Sequence, residues 1–154
     1  MKEMAAGMIH IGLFDGIGGF GMAAAWCGIE TVVSCEIGAF GSDVLASLFP
    51  AAYHHKDIRT LTKTIIDERL IPRFGVDYGR RTILTGGAAI GLVPGRLRQR
   101  PQAPHRADKR FNEEALIAAG NAIVPQVAYE IIRGIIAIER GEHFPDVRKE
   151  ADKV

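Results

Sequence analysis

Leu13-Phe14-Asp15-Gly16-Ile17-Gly18-Gly19-Phe20-Gly21 is the stretch on which the reading of this chain turns. It closes a short apolar run, Met8 to Phe14, that reads as a buried strand feeding a tight turn. A helix is expected next, because Phe20 to Cys27 is rich in alanine and Gly28 stands where such a helix would stop. Thr31 to Cys35 is a second β-branched run. Strand, helix and strand thus follow one another within about thirty residues, the size of one βαβ unit. Glycines in such a turn let the backbone adopt positive φ and approach a ligand closely, and the N–H groups opening the helix face the same space.

The pattern continues outward from that unit. Ala39 to Leu48 reads as a second helix closed off by Pro50, and Tyr53 to Ile58 as a short third strand ending in Asp57-Ile58. Leu61 to Leu70 is expected to be helical, and Arg81 to Leu84 to form a fourth strand that ends at Gly86-Gly87. Alternation of this kind predicts an α/β fold with a doubly wound, mostly parallel sheet. After Gly87 the character changes: Val93 to Arg110 is rich in arginine, proline and glutamine, so an atypical basic loop is expected over about 88–112. Helix is expected again over Glu113 to Gly120 and over Val124 to Arg140. The second of these has Pro125 in its first turn and apolar residues at Val127, Ile131, Ile135 and Ile138. The charged tail from about 141 is expected to fray.

Length and composition bound the function. A chain of 154 residues fits a single domain, 1–154, and 47% hydrophobic with 24% charged residues is an ordinary globular balance. A formal charge of +1 does not by itself announce a nucleic-acid partner. Cys27 and Cys35 are the only cysteines and lack CxxC spacing, which argues against a disulfide scaffold or a zinc site and for a reducing, cytoplasmic setting. No apolar run reaches the roughly 18 residues of a membrane span, and the N-terminus is a poor signal peptide, so a soluble protein with no membrane partner is expected. His54 and His55 are adjacent on a strand and should point to opposite faces, so no metal site is expected.

Glu36 lies at the end of the second strand, twenty residues after Gly16, where a carboxylate can accept hydrogen bonds from both hydroxyls of a ribose. Turn and acid together predict a nucleoside site. Gly16, Gly18 and Gly21 also satisfy the NAD fingerprint, so these residues alone leave a nicotinamide oxidoreductase and a methyltransferase both open.

Five segments, in order, separate the two. Phe14-Asp15-Gly16-Ile17-Gly18-Gly19-Phe20 resembles the first motif of the cytosine-C5 DNA methyltransferases, Ser34-Cys35-Glu36-Ile37 the second and Lys56-Asp57-Ile58 the third. Leu84-Thr85-Gly86-Gly87 is similar to the start of the fourth, and Gly120-Asn121-Ala122-Ile123-Val124-Pro125 to the last. The resemblance covers Met8 to Gly87 and Glu113 to about Arg140. It implies a truncated Rossmann-like methyltransferase fold and S-adenosylmethionine as cofactor. Phe14, Asp15, Gly16, Ile17, Gly18 and Gly19 would form the floor of its site, with Glu36 on the ribose and Ile37 against the adenine. Asp57 would accept from the adenine amino group, Ile58 pack on the ring, Gly86 line the pocket, and Asn121 and Val124 close it. One departure falls in the first motif: the family often has an acid two residues before the phenylalanine, where this chain has Gly12 and carries Asp15 instead.

The family's chemistry requires a thiolate to attack C6 of cytosine, and its thiol belongs to a Pro-Cys just after the Gly-Gly. Here that stretch reads Ala88-Ala89-Ile90-Gly91, which puts Ile90 at the cysteine position, and no catalytic residue is assigned. Cys27 and Cys35 are expected to be buried structural residues. The segment that holds the flipped base and the target-recognition domain have no counterpart, since only Ala88 to Asn112 separates the matched blocks. The resemblance therefore implies a phage- or prophage-like relative of restriction-modification methyltransferases that binds cofactor and does not methylate DNA alone. An internal deletion or frame disruption would account for the unlike stretch, and translating every frame of the locus should then reveal a Pro-Cys-Gln remnant. DNA is a partner only through the family: five arginines between Arg96 and Arg110 could touch phosphates, but such a run is usually a solvated loop. With no fifth strand, Arg81 to Thr85 would be an open edge, which predicts a homodimer or association with a complementing methyltransferase chain. A non-catalytic interaction module is a further alternative.

Overall fold

The computed structural model describes residues 7–87 and 123–142. In chain order these form β1 (Ile9–Leu13), α1 (Gly19–Trp26), β2 (Glu30–Cys35), α2 (Ala39–Leu48), β3 (Tyr53–His55) and α3 (Lys63–Phe74). A 3-10 turn at Tyr78–Arg81 then leads into β4 (Thr82–Gly86), and α4 covers Pro125–Glu139. All strand pairings are parallel, in the order β3-β2-β1-β4. The expected α/β architecture is present. The basic stretch at 88–112, the helix expected over Glu113 to Gly120, Ile90, Asn121 and the tail beyond 142 lie outside the described residues.

The strand periodicity of two explains how the layers form. Ile9 and Ile11 of β1 point to one face, where they join Val32 and Val33 of β2, Leu70 of α3 and Tyr78. His10 points to the other face beside its β4 partner Ile83, which packs with Ala23 and Ala24 of α1 and Ala128, Ile132 and Ile136 of α4. Helices thus cover both faces. The buried stripe of α4 is offset by one residue from the apolar stripe noted in the sequence: Val127, Ile131, Ile135 and Ile138 are exposed. Small Ala23, Ala24 and Ala128 let α1 and α4 approach closely, and this decides which stripe turns inward. Among the described residues no helix is long and apolar enough to cross a membrane.

Two elements differ from the sequence expectation at their ends. The third helix starts at Lys63, where the Thr62 hydroxyl accepts from Ile65 N at 3.3 Å, and runs through Pro72 to Phe74. Proline so near the end forfeits a bond in the last turns only, and Gly75 (φ 83) then ends the helix. The third strand stops at His55, and Asp57 and Ile58 stand in the following turn, where Thr60 N donates to Asp57 O at 2.9 Å.

A polar clamp crosses the centre of the sheet. Fully buried His10 hydrogen-bonds Thr31 Oγ1 of β2 through Nδ1 (2.9 Å) and Thr85 Oγ1 of β4 through Nε2 (2.8 Å). Burial pushes the imidazole down to about 4, so it is neutral at physiological pH and one hydroxyl donates while the other accepts.

Candidate nucleoside site

The candidate residues converge at the carboxyl ends of the strands. The glycine turn follows β1, Glu36 follows β2, Asp57 lies just past β3, and Gly86 ends β4. In an open α/β sheet this is the edge where ligands bind, at the point where strand order reverses, here between β1 and β4. The turn is tightly wound. Gly16 (φ 57) and Gly18 (φ 83) adopt left-handed conformations, and so does Phe14 (φ 51), where a bulky side chain is strained. Phe14 remains 46% exposed. Gly18 forms the N-cap of α1 without a side-chain cap, leaving the first amides of that helix directed at the site.

Glu36 ties the turn to the second strand. Its Oε2 accepts from Gly16 N at 2.9 Å and its Oε1 from Gly38 N at 2.7 Å. Its backbone is held as well, with Glu36 N donating to His55 O (3.0 Å) and Ser42 Oγ donating to Glu36 O (2.8 Å). Each carboxylate oxygen keeps further acceptor capacity for a hydroxyl. Ile37 beside it is 68% exposed, an apolar surface at the strand end.

Asp15 turns inward. Its backbone N donates to Cys35 O at 3.1 Å, and Gly18 N donates to its carbonyl at 2.8 Å. The side chain folds back over β1, so that a Cβ at Gly12 would lie 2.5 Å from Asp15 Cγ and 2.8 Å from its Oδ1. Position 12 is glycine because the Asp15 carboxylate fills the space of its side chain. Asp15 is only 6% exposed, and neither carboxylate oxygen has a hydrogen-bond partner among the described residues. Burial, and then the charge of Glu36, push its pKa up to about 6. The sequence shows the acid displaced from position 12 to position 15, and no local signal shows that the displaced carboxylate returns to the space over Gly12.

The remaining candidates frame this centre. Asp57 accepts from Arg59 Nη2 (2.7 Å), Nε (2.9 Å) and backbone N (3.0 Å), which holds its carboxyl down at about 2. Ile58 beside it is partly buried, as is Ile17 in the turn. Gly86 pairs with Leu13, and Gly87 N donates to Leu13 O at 3.0 Å, which brings the end of β4 against the turn. From the far end of the chain, Ile123 packs on Gly19: a Cβ there would be 2.5 Å from Ile123 O and 2.9 Å from its Cγ2. Val124, the N-cap of α4, is exposed next to it.

Cys27 and Cys35 are both buried and unbridged, and burial pushes both thiols up, away from the thiolate. The histidines diverge as expected. His54 contacts Ser34 Oγ (2.7 Å) and donates to Phe49 O (3.0 Å), whereas His55 contacts Tyr53 Oη (3.1 Å) and Thr60 Oγ1 (2.8 Å). Among the described residues no cluster of three histidine, cysteine or acidic side chains could hold a metal.

No protein family, curated protein or solved structure matches this chain.

Proposed function

We propose that this chain is an S-adenosylmethionine-binding protein of the cytosine-C5 DNA methyltransferase type, truncated and unable to methylate DNA alone. The observation that supports it most is the packing of Ile123 on Gly19, because it joins the last motif-like segment to the first although they are far apart in the sequence. A dinucleotide fingerprint requires no such partner. The cofactor, when bound, supplies a methyl group on a sulfonium. The chain's own residues would do the holding. The free acceptor positions of Glu36 would take the ribose hydroxyls, exposed Phe14 and Ile37 would cover apolar surface, and Asp57 would share its carboxylate between Arg59 and an adenine amino group. The buried, protonated thiols of Cys27 and Cys35 fit a chain without its own nucleophile.

Titration calorimetry with S-adenosylmethionine, S-adenosylhomocysteine and NAD, repeated on Glu36→Ala, tests the cofactor reading. Both adenosyl compounds should bind and lose about tenfold or more in affinity in the variant, in keeping with loss of charge-assisted hydrogen bonds. Tight NAD binding without S-adenosylmethionine binding would overturn it. Labelled methyl transfer to DNA by the purified chain should stay at background, and robust incorporation would show that the thiol argument is wrong.

A second reading, a subunit that completes a split methyltransferase, is favoured by β4. Among the described residues this strand pairs only with β1, and its Leu84 is 62% exposed. Mixing with a methyltransferase fragment that carries the Pro-Cys motif and a recognition domain should then yield a complex with activity. Separate elution and no methyl transfer would remove this reading.

A further inference from the structure

The buried carboxylate of Asp15 has a consequence for the kind of ligand the glycine turn accepts. We propose that Asp15 makes the turn selective for a ligand carrying positive charge, and hostile to the pyrophosphate of a dinucleotide. The inference rests on the adenosine-site reading above and names the charge class of its ligand.

Three observations carry it. The carboxylate is fixed in place, because the Asp15 backbone is bonded on one side to Cys35 O and on the other to Gly18 N, and its side chain fills the space above Gly12. It is 6% exposed with both oxygens unpartnered among the described residues, so its field is poorly screened and its own desolvation is uncompensated. The charged group that acts on it is a second acid, Glu36, itself bonded to Gly16 of the same turn. In dinucleotide sites this turn and the opening of the following helix hold a pyrophosphate. Here the half-charge of the α1 N-terminus is opposed by two carboxylates, which repel such a group. A ligand with a fixed cation near the turn would instead supply the counter-charge that Asp15 lacks. Asp15 acts through space on whatever ligand occupies the turn, so its role is one of selection.

Calorimetry on wild type, Asp15→Asn and Glu36→Ala, with S-adenosylmethionine, S-adenosylhomocysteine and adenosine as probes, separates the terms. The first probe carries a sulfonium besides the ammonium and carboxylate of its amino-acid end, the second that zwitterionic end without the sulfonium, and the third no charge. Wild type should bind them in that order. In Asp15→Asn, which keeps the shape over Gly12, the preference for S-adenosylmethionine over adenosine should fall by about tenfold, the size of one partly screened charge interaction. Glu36→Ala should weaken all three together through the ribose they share, and should change the end members' ratio less than Asp15→Asn does. Asp15→Ala removes the same charge with a smaller side chain and should reproduce the change if the amide variant fails to fold. An unchanged ratio in the Asp15 variants, with all probes still bound and sensitive to Glu36→Ala, overturns the inference and leaves the site reading standing. Failure of every adenosine probe to bind wild type would overturn the site reading and the inference with it.

Discussion

His10 and Asp15 titrate over overlapping ranges with opposite effects on stability. His10 is held down to about 4 in the folded chain from 6.5, so its contribution is fully present above about pH 6.5 and is lost as pH falls toward 4. Asp15 is raised from 3.8 to about 6, so its contribution is present below about pH 3.8 and is lost as pH rises through 6. Each corresponds to roughly 3 kcal/mol at about 1.4 kcal/mol per unit, and from these two groups alone the slopes nearly cancel between about pH 4 and 6. Urea unfolding of Asp15→Asn should expose the His10 slope, with stability climbing by ~3 kcal/mol from pH 4 to 6.5 relative to wild type, and a parallel pH profile in the two proteins would refute this. Gly12 and Asp15 should also be coupled. Gly12→Ala is expected to cost ~2 kcal/mol by overpacking against the carboxylate, and much less in an Asp15→Ala background, giving an interaction energy above ~1 kcal/mol in a double-mutant cycle. The chain shows both residues plainly. Their contact was not legible because it depends on the left-handed backbone at Phe14, which no propensity predicts for an aromatic residue.

Element boundaries in the sheet half of the chain follow from local rules. Ala39–Leu48 appears at its expected limits, and β1, α1 and β2 lie within one or two residues of theirs, because glycine stops, a proline stop and β-branched runs act over a few residues. The orientation of α4 does not follow from such rules. Its spacing points to the stripe Val127, Ile131, Ile135 and Ile138, but the sequence offers a second one beside it, and contact with the alanines of α1 selects that one, Ala128, Ile132 and Ile136. Ile132→Ala is therefore expected to cost ~3 kcal/mol in chemical denaturation, and Ile131→Ala under ~1 kcal/mol; equal costs would mean that α4 is rotated from the orientation described. At the start of α3, Thr62→Ala should lose ~1 kcal/mol with the capping bond.

At the scale of the whole molecule, β4 is an edge strand among the described residues, and the exposed stripe of α4 lies near it: Leu84 and Ile135 line one groove of about 420 Å³. Edges of this kind invite pairing, so light scattering is expected to register self-association or a complex, weakened by Leu84→Lys; a clean monomer at high concentration would count against it. The sequence by itself determined the succession of strands and helices, the parallel sheet and the placement of Glu36 at a strand end twenty residues after Gly16. Those properties depend on periodicity and stop signals that operate within a few residues, and on the chirality rules of βαβ units. Only the tertiary structure decided that Asp15 fills the space over Gly12, that α4 buries its second stripe and that Ile123 rests on Gly19. These are outcomes of close packing and backbone handedness, in which the fit of each side chain depends on residues that the linear order does not bring together.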